Sequence, residues 1–392
     1  MRSVTVFAAA LVLATARLAA ATPYLPTSDQ QLLERLPGRA SDPAARALND
    51  LRRRQAADPN NLDLAVELAR SYFERTGAEG DPRYVGYAQS VLAPWWSLAE
   101  PPVPARLMRA VLNQFSHGFA VAVADLQAVV KQDPDNGEGW AWLAAIAMVE
   151  ARYADARTAC EHVNEASPEL IGPACLAAVD GVTGRGAAAA ASLNTALKDN
   201  PTASPAERLW ALTRLAEIEE RLGHFTEAEA AFGQALALNL TDGYLLAAYA
   251  DFLLDRARPA EAIALLKGKE RSDLLLLRLA LAGKAAKAPE AARWAADLTA
   301  RFDAARLRGD VLHQKEEGRY ALGILGDAPR AVALAAQNFA VQREPADARA
   351  LLEAAVAARQ PAAAEPALAW MASSGIESVA LRTLAAKLRP AA

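Results

Sequence analysis

Ten alanines fall into two ladders that run through the chain in step, and they constrain its fold more tightly than any other feature. Ala110, Ala144, Ala178, Ala216 and Ala250 are separated by 34, 34, 38 and 34 residues. Ala122, Ala156, Ala190, Ala228 and Ala262 repeat the same four steps. A methyl-sized side chain returning at such a period marks points where paired helices cross with their backbones close. A lone helical hairpin cannot bury its apolar face, so a series of hairpins stacks into an all-α solenoid. That architecture points to binding rather than catalysis.

The composition fits such a stack. The 392 residues are 53% hydrophobic and only 6% aromatic, a balance suited to helices packed backbone against backbone. No linker divides the chain, and a solenoid core can extend one repeat at a time. β-branched runs and Asn-Gly hairpin turns are scarce, which excludes a substantial sheet. Residues 1–21 read as a secretory leader, with Arg2 as the positive start, an apolar run over 4–14, and Ala19-Ala20-Ala21 placing cleavage before Thr22. The run is shorter than the ~20 residues a membrane-spanning helix needs, and the later apolar run 274–281 is interrupted by Arg278. Cleavage would remove Arg2 and Arg17, leaving 40 basic against 46 acidic residues and a formal net charge of −6 in place of −4. The two signs are interspersed, without the basic face that nucleic acid requires.

The clearest repeat is 135–168, DNGEGWAWLAAIAMVEARYADARTACEHVNEASP. Its first helix carries Trp140, Leu143, Ala144 and Ala147; its second carries Tyr153, Ala156, Cys160 and Val163, with Pro168 beyond. This resembles the tetratricopeptide pattern of Trp, Leu-Gly, Tyr, Ala-x-x-x-Phe and Pro. Ala144, Ala147 and Cys160 stand in the Gly, Tyr and Phe slots. Leu215, Phe225, Ala228 and Phe232 form a second such unit, and Tyr249, Pro259, Ala262 and Leu266 a third. An earlier one holds Leu68, Ala69, Tyr72, Tyr84 and Ala88. Its two helices are seven residues further apart than the ladders allow, and Thr76-Gly77-Ala78-Glu79-Gly80-Asp81 reads as a protruding loop. The 38-residue step spans Asn200-Pro201 and Ser204-Pro205, turn formers expected to absorb four residues in a loop.

The chain thus divides into a leader (1–21), N-terminal capping helices (22–59), a tetratricopeptide array (60–268), and degenerate repeats with a C-terminal cap continuous with the array (269–392). Helices are expected there at 274–285, 289–302, 307–325, 329–342, 346–359, 361–373 and 376–388. The resemblance implies a right-handed α-solenoid. With the leader, it implies an exported bacterial protein, placed in the periplasm of a Gram-negative cell. Whether the C-terminal third closes against the groove or extends the superhelix stays open.

No nucleophile elbow, zinc-protease helix, phosphate loop or dinucleotide fingerprint is present, so no enzyme class and no cofactor is indicated. Asp310, His313 and Glu317 share one helical face and form a weak candidate metal site, equally readable as a solvated polar stripe. By repeat phase, Cys160 and Cys175 sit on neighbouring helices, either bridged or as buried thiols. The resemblance implies a protein or peptide partner on the concave face, lined by Glu67, Arg70, Met108, Gln114, Trp142, Met148, Arg214, Glu217, Tyr244 and Asp251. Two readings follow: an adaptor holding a partner there, or a structural subunit of an envelope assembly for secretion or polysaccharide export. A metal-dependent enzyme is a distant third.

Overall fold

A computed structural model of the chain describes residues 28, 43–309 and 313–388. The leader at 1–21, the capping helix expected after Ser28, and Asp310 lie outside the described residues. The chain divides into two compact units, Met1–Asn49 and Asp50–Ala392. The first is represented by Ser28 and the N-terminal half of α1 (Pro43–Ala57); the features below belong to the second.

Seven hairpins follow one another: α2 (Leu62–Glu79) with α3 (Arg83–Val91) and the one-turn α4 (Ala93–Trp96), α5 (Val103–Phe115) with α6 (Phe119–Gln132), α7 (Gly137–Val149) with α8 (Tyr153–Ala166), α9 (Ile171–Asp180) with α10 (Gly186–Asp199), α11 (Pro205–Leu222) with α12 (Phe225–Ala237), α13 (Gly243–Asp255) with α14 (Pro259–Leu266), and α15 (Asp273–Ala286) with α16 (Ala291–Leu307). Among the described residues the regular elements are all helical. The hairpins stack in the tetratricopeptide manner, each first helix against the first helix of the next. Nine of the ten ladder alanines are at most 5% exposed, as close helix crossing demands; Ala178 is half-buried on the wall of an internal cavity. Asn61, Asn136 and Asp242 cap α2, α7 and α13 by accepting from the backbone three residues on. Ser204 and Glu207 form a reciprocal capping box on α11. Cys160 on α8 and Cys175 on α9 are joined by a disulfide, tying the third hairpin to the fourth.

Both sequence irregularities are helical, not loops. Helices α5, α7, α9 and α13 each begin seven residues before their ladder alanine, for example Gly137 before Ala144. Helix α11 begins eleven before, Pro205 ahead of Ala216. The four extra residues of the 38-residue step therefore add about one turn at 3.6 residues per turn, which preserves the buried face. In the first hairpin, residues 76–79 continue α2 instead of protruding, and Thr76 is buried. The added turns end at Gly80, whose φ of 68° is left-handed. There α2 meets the later hairpins: a Cβ on Gly80 would lie 2.5 Å from Ser272 Oγ, and one on Gly243 would lie 2.9 Å from the Gly77 carbonyl oxygen. The insertion thus joins the first hairpin to the sixth and to the start of the seventh.

The remaining helices are α17 (Gln314–Tyr320), which runs into a π-turn at Ala321–Leu325, α18 (Ala328–Val341), α19 (Pro345–Ala358), a 3₁₀ turn at Pro361–Ala364, α20 (Glu365–Ser374) and α21 (Val379–Leu388). Most sit close to the sequence-based ranges; the helix expected at 307–325 instead begins at Gln314, because α16 runs on to Leu307. Their placement settles the open alternative: this segment turns back onto the inner face of the array. Leu381 of α21, Ile376 and Trp370 bury with Val182 at the end of the fourth hairpin's first helix, and Met148 and Tyr153 pack on the same cluster.

Candidate binding site on the inner face

The inner face is built by the first helices of the hairpins, and its middle is occupied by the chain's own C-terminal segment. Four kinds of contact fasten it. Arg349 of α19 makes two bonds to the Asp255 carboxylate at the end of α13, 2.5 and 2.6 Å. Arg319 of α17 forks onto Asp251 at 2.8 and 2.9 Å, and the same carboxylate accepts from Arg278 of α15 at 2.7 Å. Trp370 donates its indole N–H to the Tyr153 hydroxyl at 2.8 Å. Backbone groups complete the seam: Arg343 N–H donates to the Val149 carbonyl (2.8 Å), and Gly186 N–H donates to the Glu377 carboxylate (2.7 Å). Gly184 and Gly375, both with positive φ, approach so closely that a Cβ on Gly184 would stand 3.1 Å from the Gly375 carbonyl oxygen.

Between this segment and helices α7, α9, α11, α13 and α15 lies a cavity of about 290 Å³. Its walls mix both signs of charge with apolar side chains. Burial alone would push the Asp251 carboxyl up; Arg278 and Arg319 outweigh it and hold it below the usual carboxylate range. Glu220 is left less compensated. Burial and the nearby Asp255 carboxylate raise it to about 7 despite Arg349. The Tyr153 phenol is pushed up to about 12, chiefly by burial. Arg214 lies over the Tyr244 ring, 4.7 Å from its centroid, and pairs with Glu217 at 3.1 Å. Glu217 also accepts from the Tyr244 hydroxyl at 2.5 Å.

The sequence-derived candidates fall into three groups. Met148, Arg214, Glu217, Tyr244 and Asp251 converge on the cavity. Glu67, Arg70, Gln114 and Trp142 lie in the earlier hairpins. Glu67 is exposed. Arg70 forks onto Glu138 at 2.8 and 2.9 Å. Trp142 packs edge-on against Phe73, ring centroids 6.1 Å apart. Met108 is only 1% exposed and offers nothing to a partner. It is two residues from the equally buried Ala110, roughly the opposite side of α5. An inner helix is covered by its hairpin partner on one side and by neighbouring first helices on others, so phase alone overstates its free face. In the weak metal trio, Asp310 lies outside the described residues, and the Glu317 carboxylate accepts from Arg330 and lies 3.5 Å from Arg306. Among the described residues no three His, Cys, Asp or Glu side chains converge as metal ligands, and no helix is long and apolar enough to cross a membrane.

Sequence reasoning missed Arg221, Arg319, Arg349, Tyr153 and Trp370 as parts of this site. One signal was available: Arg278, a lone cation in an otherwise apolar helical run, requires a buried carboxylate, and Asp251 supplies it.

No protein-family model matches the chain, and no curated protein matches it. Solved structures show a loose likeness. A tetratricopeptide repeat protein from Parabacteroides merdae is 14% identical over 60% of this chain and 92% of its own, with a TM-score of 0.42. The Cut9–Hcn1 hetero-tetramer of the APC/C gives 14% identity, 88% and 59% coverage, and a TM-score of 0.46. Yeast Tom70 gives 10% identity, 88% and 85% coverage, and a TM-score of 0.41.

Proposed function

We propose that the chain is a non-catalytic adaptor, exported to the periplasm of a Gram-negative bacterium, which takes a helical segment of a protein or peptide partner on the inner face of its repeats. One observation carries this reading: that face already holds helices, those of its own C-terminal segment. It holds them through charged forks at Asp251 and Asp255 and an aromatic anchor at Tyr153. Planar arginine forks on carboxylates give both strength and orientation. An outside partner of the same chemistry would compete with the resident segment, so the described form is the self-capped one.

The test separates groove from plug. A chain ending after Gln342, checked for helicity by circular dichroism, is titrated with a synthetic peptide spanning 343–388. Micromolar binding is expected, weakened more than tenfold when the peptide carries Arg349→Ala or Trp370→Ala, with the full-length chain binding the peptide far more weakly. A folded truncated chain that ignores the peptide sinks the reading, as does a full-length chain that binds it equally well.

The closure of α2 on α13 and the filled interior favour a second reading, a fixed scaffold of an envelope assembly whose outer face makes the contacts. Fractionation distinguishes the two: an adaptor is released with the periplasmic contents, whereas a scaffold sediments with the envelope.

A further inference from the structure

The cavity behind the C-terminal segment holds hydrogen-bond donors that no described residue satisfies. Arg221 and Arg214 lie two turns apart on one face of α11, and the Nε of each is buried without an acceptor among the described residues. Arg214 at least has Glu217. Arg221 forms no ion pair or hydrogen bond with any described residue, and burial, the largest influence, draws its guanidinium below its ordinary value. A glycine stands beside it: a Cβ on Gly181 would lie 2.8 Å from Ile218 Cγ1 and 3.0 Å from Arg221 Nη2. Glu217 and Glu220 act on Arg221 only through space, without a hydrogen bond, and a guanidinium whose buried Nε has no acceptor is costly to keep out of water. Across the cavity, Arg343 also has no carboxylate partner among the described residues. The Tyr153 hydroxyl accepts from Trp370, which leaves its own proton to donate.

We propose that this cavity binds a small monocarboxylate, whose carboxylate pairs with Arg221 and Arg214 while its apolar body lies against Val182, Ile218 and Leu381. A guanidinium fork matches a carboxylate with two parallel N–H···O bonds. The volume, about 290 Å³, lies just below the ~300–1,000 Å³ range of small-molecule sites, which suits a small ligand. A second negative charge is disfavoured because Glu217, Glu220 and Glu344 line the same space. A dianionic phosphate therefore fits less well than a monocarboxylate. A cation meets Arg221 directly. The proposal is independent of partner binding in the groove, because the ligand sits inside the self-capped form.

The experiment is isothermal titration of the full chain with sodium hexanoate, beside sodium phosphate and hexylammonium chloride. Hexanoate is expected to saturate one site with a millimolar or tighter Kd, and the other two to bind more weakly. Arg221→Met should keep its helicity and thermal midpoint, since it removes an unpaired buried charge, and should weaken hexanoate at least tenfold. Arg221→Lys, which keeps the charge but loses the planar fork, should weaken hexanoate several-fold and carries the test if Arg221→Met fails to fold. The proposal is overturned if hexanoate does not bind at millimolar concentration, binds Arg221→Met undiminished, or binds more weakly than phosphate or hexylammonium.

Discussion

Removing the carboxylate of Asp251 is expected to loosen the C-terminal segment from the array. Asp251 serves two cations at once, Arg278 from α15 and Arg319 from α17. The Arg278 side chain is 6% exposed, so it cannot turn to water when its partner is lost. Deleting one member of a buried pair costs about 3–5 kcal/mol. Two features place Asp251→Ala near the bottom of that range, at about 3 kcal/mol. The Asp251 side chain is itself 23% exposed, and Arg278 keeps a bond to the Leu274 carbonyl at 3.0 Å. Urea unfolding monitored by circular dichroism measures the loss. Hydrogen exchange locates it, with protection falling first in α17 and α19. The pH dependence has a fixed sign. A carboxyl held below its unfolded value contributes fully above about pH 4, and that contribution fades as the pH falls toward the folded value. The gap between wild type and Asp251→Ala should therefore be constant from neutrality to about pH 5 and shrink in stronger acid. A loss under about 1 kcal/mol, typical of exposed pairs, would refute the claim that this carboxylate fastens the segment, as would a gap that does not close in acid.

Three further outcomes are expected. Glu220→Gln should match the wild type near pH 4 and exceed its stability by about 3 kcal/mol at pH 8, because a carboxyl raised to about 7 contributes stability below its unfolded value and loses it as pH rises through the folded one; chemical denaturation at the two pH values decides. Reducing the Cys160–Cys175 bridge, which closes a separation of 15 residues, should cost roughly 3 kcal/mol in the chain-entropy model; urea midpoints with and without dithiothreitol measure it. Gly80→Ala should destabilise by more than the roughly 1–2 kcal/mol of a left-handed non-glycine residue, since its Cβ also meets Ser272; adding Ser272→Gly should recover the steric share and leave the backbone share, as thermal melts of the two variants will report.

The array was legible because its determinants are local. A small residue at the crossing, a side-chain cap before four of the seven first helices and a turn after each second one all fall within one repeat, and nine of the ten alanines that mark the period are buried. The two misread insertions share one cause. Gly77 and Pro205 read as turn formers, yet one glycine within a helix costs only about 1 kcal/mol, and proline is at home in a helix's first turn. What decided their conformation was elsewhere: Ser204 and Glu207 cap α11, and contacts with Gly243 and Ser272 order the end of α2. The C-terminal helices follow the same division. Their ranges could be read from turns and periodicity, but the face they cover depends on pairs such as Arg349 with Asp255, 94 residues apart, and Trp370 with Tyr153, 217 apart. No repeat period encodes a meeting of that kind. Only a mismatch betrays it, a charge where the pattern asks for an apolar residue. Arg278 is such a mismatch, and the fold answers it with Asp251. Arg221 sits in a polar stretch and gave no such signal; only the folded cavity shows that its Nε has no acceptor, and the rule that explains the plug then points to a ligand behind it.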